Sequence, residues 1–338
     1  MRRYLSILFV LSLLLACKTG KKGPDVSSVK ANSPIVRFDQ DFFAIDTSKV
    51  QVELTKLAQK NPDFYGDYMR YILAVSGNPT DEETQSASKE IIRDYTVIKD
   101  SLKDNFKDIK ELQSQIDEGF KHVKYYFPNY PIGKVFFYIG PFEAPSVAVI
   151  EKGLAVGIQK YGGANFFAYQ TPAIQEMYPT YIARRFEKEY IPANCMKAVA
   201  EDIFPDQSAG LPLIQQMIEK GKIWYLLDLF MPNTPDSLKT GYTQLQLDWC
   251  KENEGLIWSY LAKNEDLNSL SPTVINNYIG EAPFTQGLSR EYSPGNLGAW
   301  IGWQIVKKYA DKFPNMKVGE IMRADPAVVL EKAKYKPK

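Results

Sequence analysis

His122 is the only histidine in the 338-residue chain, and that count limits the chemistry available. One imidazole cannot build a histidine-rich zinc site or serve both halves of a two-histidine acid–base mechanism. Cys195 and Cys250 have no neighbouring histidine to activate them as nucleophiles; a chain of this size needs no staple, so two separately buried thiols are expected, while the sequence leaves a bridge between them open. The nucleophile elbow G-x-S-x-G, the phosphate loop G-x-x-x-x-G-K-S/T and the zincin motif H-E-x-x-H are absent. Gly162-Gly163 follows a strand pattern without G-x-G-x-x-G spacing and reads as a turn. Carboxylates remain as possible acid–base groups: Glu201, Asp202, Glu219 and Glu291 are those on which a hydrolase would have to rest. Glu201 and Asp202 are adjacent, which on a helix points them about 100° apart, so they suit a solvated helix end before Pro205 better than one site. His122, beside Lys121 and Lys124 at the end of a helical pattern, is expected to be exposed or to cap the helix.

The chain carries 41 Lys and Arg against 40 Asp and Glu, so no basic excess drives it onto nucleic acid. With 45% hydrophobic and 24% charged residues it has the composition of a folded globular protein. Its first 17 residues are a targeting device: Arg2 and Arg3 precede an apolar run, Leu5 to Ala16, too short to span a bilayer. Leu14-Leu15-Ala16-Cys17 reads as a lipobox, with cleavage before Cys17 and acylation of its thiol, so the expected membrane partner is reached through a lipid anchor. Residues 18–35, polar and containing Gly20, Gly23 and Pro24, are expected to be a flexible tether, and residues 36–338 a single domain. Lys18 after the lipidated cysteine favours the outer membrane, and the lack of an acidic run after Cys17 favours the periplasmic side over export to the surface.

The elements that must position any site follow from periodicity. Ile98, Leu102, Phe106, Ile109, Leu112, Ile116 and Phe120 recur at three and four, which predicts one long helix running on from Asp81 to Tyr95. Lys134–Ile139, Ser146–Ile150 and Leu154–Gln159 are rich in β-branched and aromatic residues and predict a small sheet with a hairpin. Helices are expected over Pro172–Glu187, Ala193–Phe204, Leu211–Phe230, Ser237–Lys263 and Pro294–Phe313. Helices, a small sheet, then helices define an α+β, predominantly helical fold without regular strand–helix alternation.

The stretch Ala282–Lys307 (APFTQGLSREYSPGNLGAWIGWQIVK) is the most distinctive. Ser293 is expected to cap its helix, Pro294 to occupy the first turn, and Gly295, Gly298 and Gly302 to form a groove that admits another backbone. Arg290 and Glu291, in the loop before it, are placed to pair with each other or to recognise a ligand.

Together with RFDQDFFAID (Arg37 to Asp46), Tyr161-Gly162-Gly163 and MIEKGKIWYLLD (Met217 to Asp228), this ending resembles the gliding-motility lipoprotein GldB family of the Bacteroidetes. Its most specific parts are Gln286 to Glu291, Ser293 to Asn296 and Trp300 to Trp303. The resemblance implies a noncatalytic outer-membrane lipoprotein serving the gliding motility and type IX secretion machinery, with cell-envelope proteins as partners and no cofactor. Gly287, Arg290, Glu291, Pro294, Gly295, Trp300, Gly302 and Trp303 are then the candidate partner-binding or signature residues. It further implies a zincin-like scaffold without its metal site. The helix expected to carry H-E-x-x-H reads CMKAVAEDIF from Cys195 to Phe204, and Gly221 of the second motif follows Lys220, with Glu219 one place earlier. No metal ligand set is left. The alternative, a cell-envelope hydrolase, would use the carboxylates named above.

Overall fold

Phe136 and Phe137 are neighbours on one strand, both almost fully buried, and each belongs to a different hydrophobic core. The computed structural model describes residues 23–264 and 267–337. Its sheet has four strands, β1 (Ile35–Val36), β2 (Lys134–Tyr138), β3 (Val147–Ile150) and β4 (Gly153–Gly157), in the order β1-β2-β4-β3. β1 and β4 run parallel to β2, and β3 pairs antiparallel with β4, placing Val149 opposite Leu154 in the expected hairpin. Strand alternation sends Val135, Phe137, Leu154 and Val156 to the main core and Phe136, Tyr138 and Ala155 to a second one.

The second core is aromatic. It is closed by α1 (Phe38–Phe43), α2 (Val50–Lys60) and the turns that follow, where Phe64 stacks on Phe136 at 4.9 Å and the Tyr68 hydroxyl donates to the Ile139 carbonyl at 2.8 Å. Arg37 holds the entrance. Its guanidinium forks onto the buried Asp39 carboxylate at 2.8 and 2.6 Å and donates to the Phe106 carbonyl at 2.7 Å, so the start of RFDQDFF is a structural clamp.

The expected long helix is two. α3 (Glu82–Leu102) and α4 (Lys110–Tyr126) are separated where Phe106, fully buried, meets the Phe137 ring at 5.8 Å. Asn105 donates to the Tyr161 carbonyl at 2.9 Å, and Asp108 accepts from the Lys110 amide at 3.0 Å. Short polar side chains that bond to nearby backbone compete with the helix, and here they end it. Pro172–Glu187 is likewise shortened, to α5 (Pro172–Met177) and a single helical turn at Thr180–Ala183, because Pro179 interrupts it. α6 (Ile191–Ile203) and α7 (Leu213–Phe230) match the sequence pattern closely. Ser237–Lys263 divides into a short helical segment at Asp236–Thr240, α8 (Gln244–Glu252) and α9 (Glu254–Asn264). Gly241 at φ 75° makes the first break, and a Thr243–Gln246 capping box opens α8. α10 (Pro272–Ile279), α11 (Leu297–Lys312) and α12 (Pro326–Ala333) complete the main core. Among the described residues no helix is long and apolar enough to cross a membrane.

Two further expectations need correction. From Gly23 onward the tether is seated on the body: Val26 is 4% exposed, and Gln113 accepts from the Ile35 amide and donates to the Ser33 carbonyl, both at 2.8 Å. Its polar composition hid backbone groups with partners waiting on α4. His122 is buried, at 2% exposure in the last turn of α4, and is neither exposed nor a cap. Cys17 and its expected acylation lie outside the described residues.

Candidate functional site

α7 and α11 form the most extensively packed helix pair. A Cβ built on Gly302 would stand 1.7 Å from the Met217 carbonyl oxygen, and one on Gly298 would stand 2.8 Å from Met217 Cγ. Of the expected groove glycines, Gly302 therefore serves close backbone approach between the two helices, whereas Gly298 makes room for the Met217 side chain and for the Tyr278 carbonyl oxygen, 2.9 Å from that Cβ. Gly295 does not share that groove. It precedes α11, and its Cβ would meet the Ala282 carbonyl oxygen at 2.0 Å. The helix begins at Leu297, after Asn296 in the left-handed conformation (φ 56°), so Ser293 is not its cap and Pro294 is not in its first turn. Ser293 instead accepts from the Thr285 amide and donates to the Ser289 carbonyl, while the Thr285 hydroxyl donates to the Pro294 carbonyl at 2.7 Å. These bonds close the signature loop on itself, which offsets the entropy of ordering a Gly- and Ser-rich segment.

The candidate residues then separate by burial. Trp300 (1% exposed) and Trp303 (3%) are core, and Pro294, Gly295 and Gly302 are buried beside them. Gly287 sits at φ 81°, where a Cβ would strike the Tyr260 hydroxyl at 1.9 Å. Arg290 and Glu291 alone among the eight are exposed side chains on the loop. The Arg290 guanidinium lies 5.4 Å from the Phe284 ring, and Glu291 accepts from the Tyr292 hydroxyl. Among the described residues Arg290 has no carboxylate within ion-pair distance, so it is not locked in place by one.

Beneath Trp303 lies a charged network that the sequence did not reveal. Trp303 Nε1 donates to Asp228 at 2.8 Å, Asp228 also pairs with Lys239, and Lys239 reaches Asp236 at 2.9 Å. Burial works against the charge on Lys239, but Asp228 and Asp236 beside it hold its pKa above the ordinary lysine value. Lys307 caps the arrangement, 3.7 Å from the Trp303 ring centre. Lys160, Lys222 and Lys239 are all buried, and nothing in their local sequence distinguishes them from surface lysines.

The carboxylates are only partly brought together. A cavity of about 730 Å³ between α6, α7 and the start of α11 is lined by Glu201, Asp206, Glu219, Asn296 and Asp325. Asp202 is elsewhere, accepting from the Tyr130 hydroxyl at 2.9 Å, and Glu291 is on the signature loop. Around the cavity Lys222 donates to Glu219 at 2.6 Å and to the Ala324 carbonyl at 2.7 Å. Lys220 pairs with Asp206 at 2.6 Å, and Lys197 approaches Glu201 at 4.0 Å. Burial opposes the charge on Asp206, but Lys220 and Ser208 hold its carboxyl below the ordinary range, which suits a fixed anion and not a proton donor near neutrality. Among the described residues no group of three or more His, Cys, Asp or Glu side chains is placed to hold a metal ion.

Cys195 and Cys250 are free and buried, as the sequence indicated, and burial pushes the Cys195 thiol up to about 12. A thiol so raised is a poor nucleophile. Tyr161-Gly162-Gly163 is a turn: Gly163 has φ 102°, and the next amide, Ala164, donates to Glu187 at 2.7 Å.

Fold and site thus define a mainly helical α+β protein with a small mixed sheet and a self-closed signature loop. The sequence profile of the family described as gliding motility protein GldB matches residues 19–337, and the chain belongs to that family of gliding-motility lipoproteins. No curated protein and no solved structure matches it.

Proposed function

We propose that the chain is a noncatalytic lipoprotein of the gliding motility and type IX secretion machinery, acylated at Cys17, held in the outer membrane and facing the periplasm. The observation that carries this reading is the extent of the family match, which starts at residue 19, directly behind the lipobox, and runs to residue 337. Anchoring by acyl chains needs no spanning helix. Its docking surface for cell-envelope proteins is the exposed part of the signature loop, Arg290 and Glu291, displayed on a loop that its own hydrogen bonds hold rigid. The zincin-like scaffold belongs to this proposal: α6 and α7 stand in for the two motif helices, with the chemistry gone.

A second reading, a carboxylate hydrolase, draws on Glu201 and Glu219 lining one cavity. Their engagement with Lys197 and Lys222 weighs against it. Mild-detergent capture of the tagged, full-length chain from native envelopes tests the docking role: co-purification of motility or secretion components that is lost in Arg290→Ala supports it. Capture unchanged in Arg290→Ala and Glu291→Ala contradicts the loop as the docking surface.

A further inference from the structure

The seating of Gly23 to Pro34 on the body decides how the protein meets its membrane. Gly23 rests against Pro232 and His122, where even a Cβ would stand 2.8 Å from Pro232 Cγ. Val26 is 4% exposed, the Ser33 amide donates to Asp117 at 2.8 Å and the Ser33 hydroxyl to the Gly133 carbonyl at 2.7 Å, before β1 joins the sheet. From Cys17 to Gly23 only Lys18, Thr19, Gly20, Lys21 and Lys22 intervene. Covalent geometry limits that leash to about 22 Å at full extension. A folded chain of this length has a radius of gyration of about 20 Å, hence a diameter of roughly 50 Å, so the leash is shorter than the body is wide. A tether reaching to residue 35 would have spanned about 65 Å and left every face free to turn toward the bilayer.

We propose that the protein lies on the bilayer through one face, the one from which Gly23 emerges, formed by the end of α4 and by Pro232-Asn233, with lipid headgroups as its occupant. The inference rests on the lipid anchor at Cys17 proposed above. The chemistry of the face suits an interface. Tyr125 is 49% exposed and packs edge-on against Tyr126 at 5.0 Å, presenting the amphipathic ring that favours headgroup level. Lys121 and Lys124 flank it on α4, Lys121 pairing with Glu118 at 3.1 Å and Lys124 donating to the Pro128 carbonyl at 2.8 Å. Lysine heads beside an exposed tyrosine ring are groups that can turn to phosphate oxygens at headgroup level. α2 packs on the second core, across the sheet from α4, and is carried away from the membrane.

The test uses the full-length, lipidated protein reconstituted in phosphatidylethanolamine–phosphatidylglycerol vesicles that carry a quencher on the headgroup. Asn233→Cys and Gln51→Cys each receive a fluorophore. Both positions are exposed, the native Cys195 and Cys250 are buried, and Cys17 is acylated, so labelling is selective. The expected result is quenching at Asn233 at least about twofold stronger than at Gln51, given the short leash. The difference should collapse when about eighteen Gly and Ser residues are inserted after Lys18. Vesicle-bound protein with equal or reversed quenching overturns the proposed face and leaves the anchor standing. A difference that survives the insertion overturns the leash as its cause. Protein that lacks an acyl group by mass and floats free of vesicles overturns both the anchor and the face.

Discussion

Gly221 of α7 faces Gly302 of α11 across the helix crossing so closely that a Cβ on Gly221 would stand 2.1 Å from the Gly302 carbonyl carbon. A Cβ on Gly302 would in turn press on the backbone one turn earlier in α7, 1.7 Å from the Met217 oxygen. The obstacle is backbone on both sides, so a substituted helix has to move bodily. Gly302→Ala and Gly221→Ala are each expected to cost roughly 1–3 kcal/mol, and Gly302→Leu more. Denaturant unfolding checks this, and the two alanine changes should add poorly because one displacement of the helices accommodates both. A Gly302→Ala protein as stable as the parent would show that the crossing is looser than described.

The buried imidazole of His122 makes stability depend on pH. Burial, opposed by Glu118 and aided by Lys121, holds its pKa below the ordinary value of 6.5. The folded state therefore keeps it neutral where the unfolded chain takes up a proton. The unfolded state binds more protons there, so stability is intact above about 6.5 and declines as pH falls through that value. His122→Gln should remove this slope, read as the difference in unfolding free energy between about pH 7.5 and about pH 5.5. An identical slope in the variant would assign the effect to other groups.

At lower pH a second loss is expected from the network under Trp303. Burial raises the pKa of Asp236, but Lys239 draws it below 3.8, so its contribution is present above that value and lost as pH falls through the folded pKa. Trp303→Phe keeps an aromatic ring, though a smaller one, and removes the donor to Asp228, and should cost about 1–3 kcal/mol. Thermal melts of the variant between about pH 7 and about pH 3 check both statements.

Arg290→Ala should leave the melting temperature nearly unchanged, since its side chain is exposed and rests on Phe284 without a carboxylate partner among the described residues. It should weaken recovery of envelope partners. A destabilised variant with unchanged recovery would make Arg290 a structural residue.

The parts of this molecule that were legible in the sequence are those where side-chain period carries the signal. The hairpin over Ser146–Gln159 and helix α6 are visible because apolar residues alternate or fall on one face, and α7 because it is a long run that is apolar nearly all round. Period alone did not show where a helix stops: Asn105 and Phe106 divide α3 from α4 through contacts with Tyr161 and Phe137, both distant in the chain. Strand β1 is two residues long and takes its partner from β2. In the candidate site the glycines of α11 announced a close approach, but only the structure supplied Gly221 as the opposing surface. Lys239 and Lys222 were invisible because nothing local marks a lysine whose partners come from other elements or another turn of its helix.

Removal of the thiol by Cys17→Ala is expected to release the chain from the membrane fraction while the folded body stays soluble, since both cores are built from residues 31–335. Carbonate-resistant membrane attachment of that variant would count against acylation as the anchor.

Anchored docking and catalysis are told apart by the motility of strains in which the chromosomal copy carries Cys17→Ala, Glu201→Gln or Glu219→Gln, with the level and melting temperature of each protein measured in parallel. Spreading is expected to fail with Cys17→Ala and to persist with either amide variant that remains folded. Loss of spreading in a folded, membrane-attached Glu201→Gln or Glu219→Gln protein would contradict docking without catalysis and place chemistry in the cavity between α6 and α7.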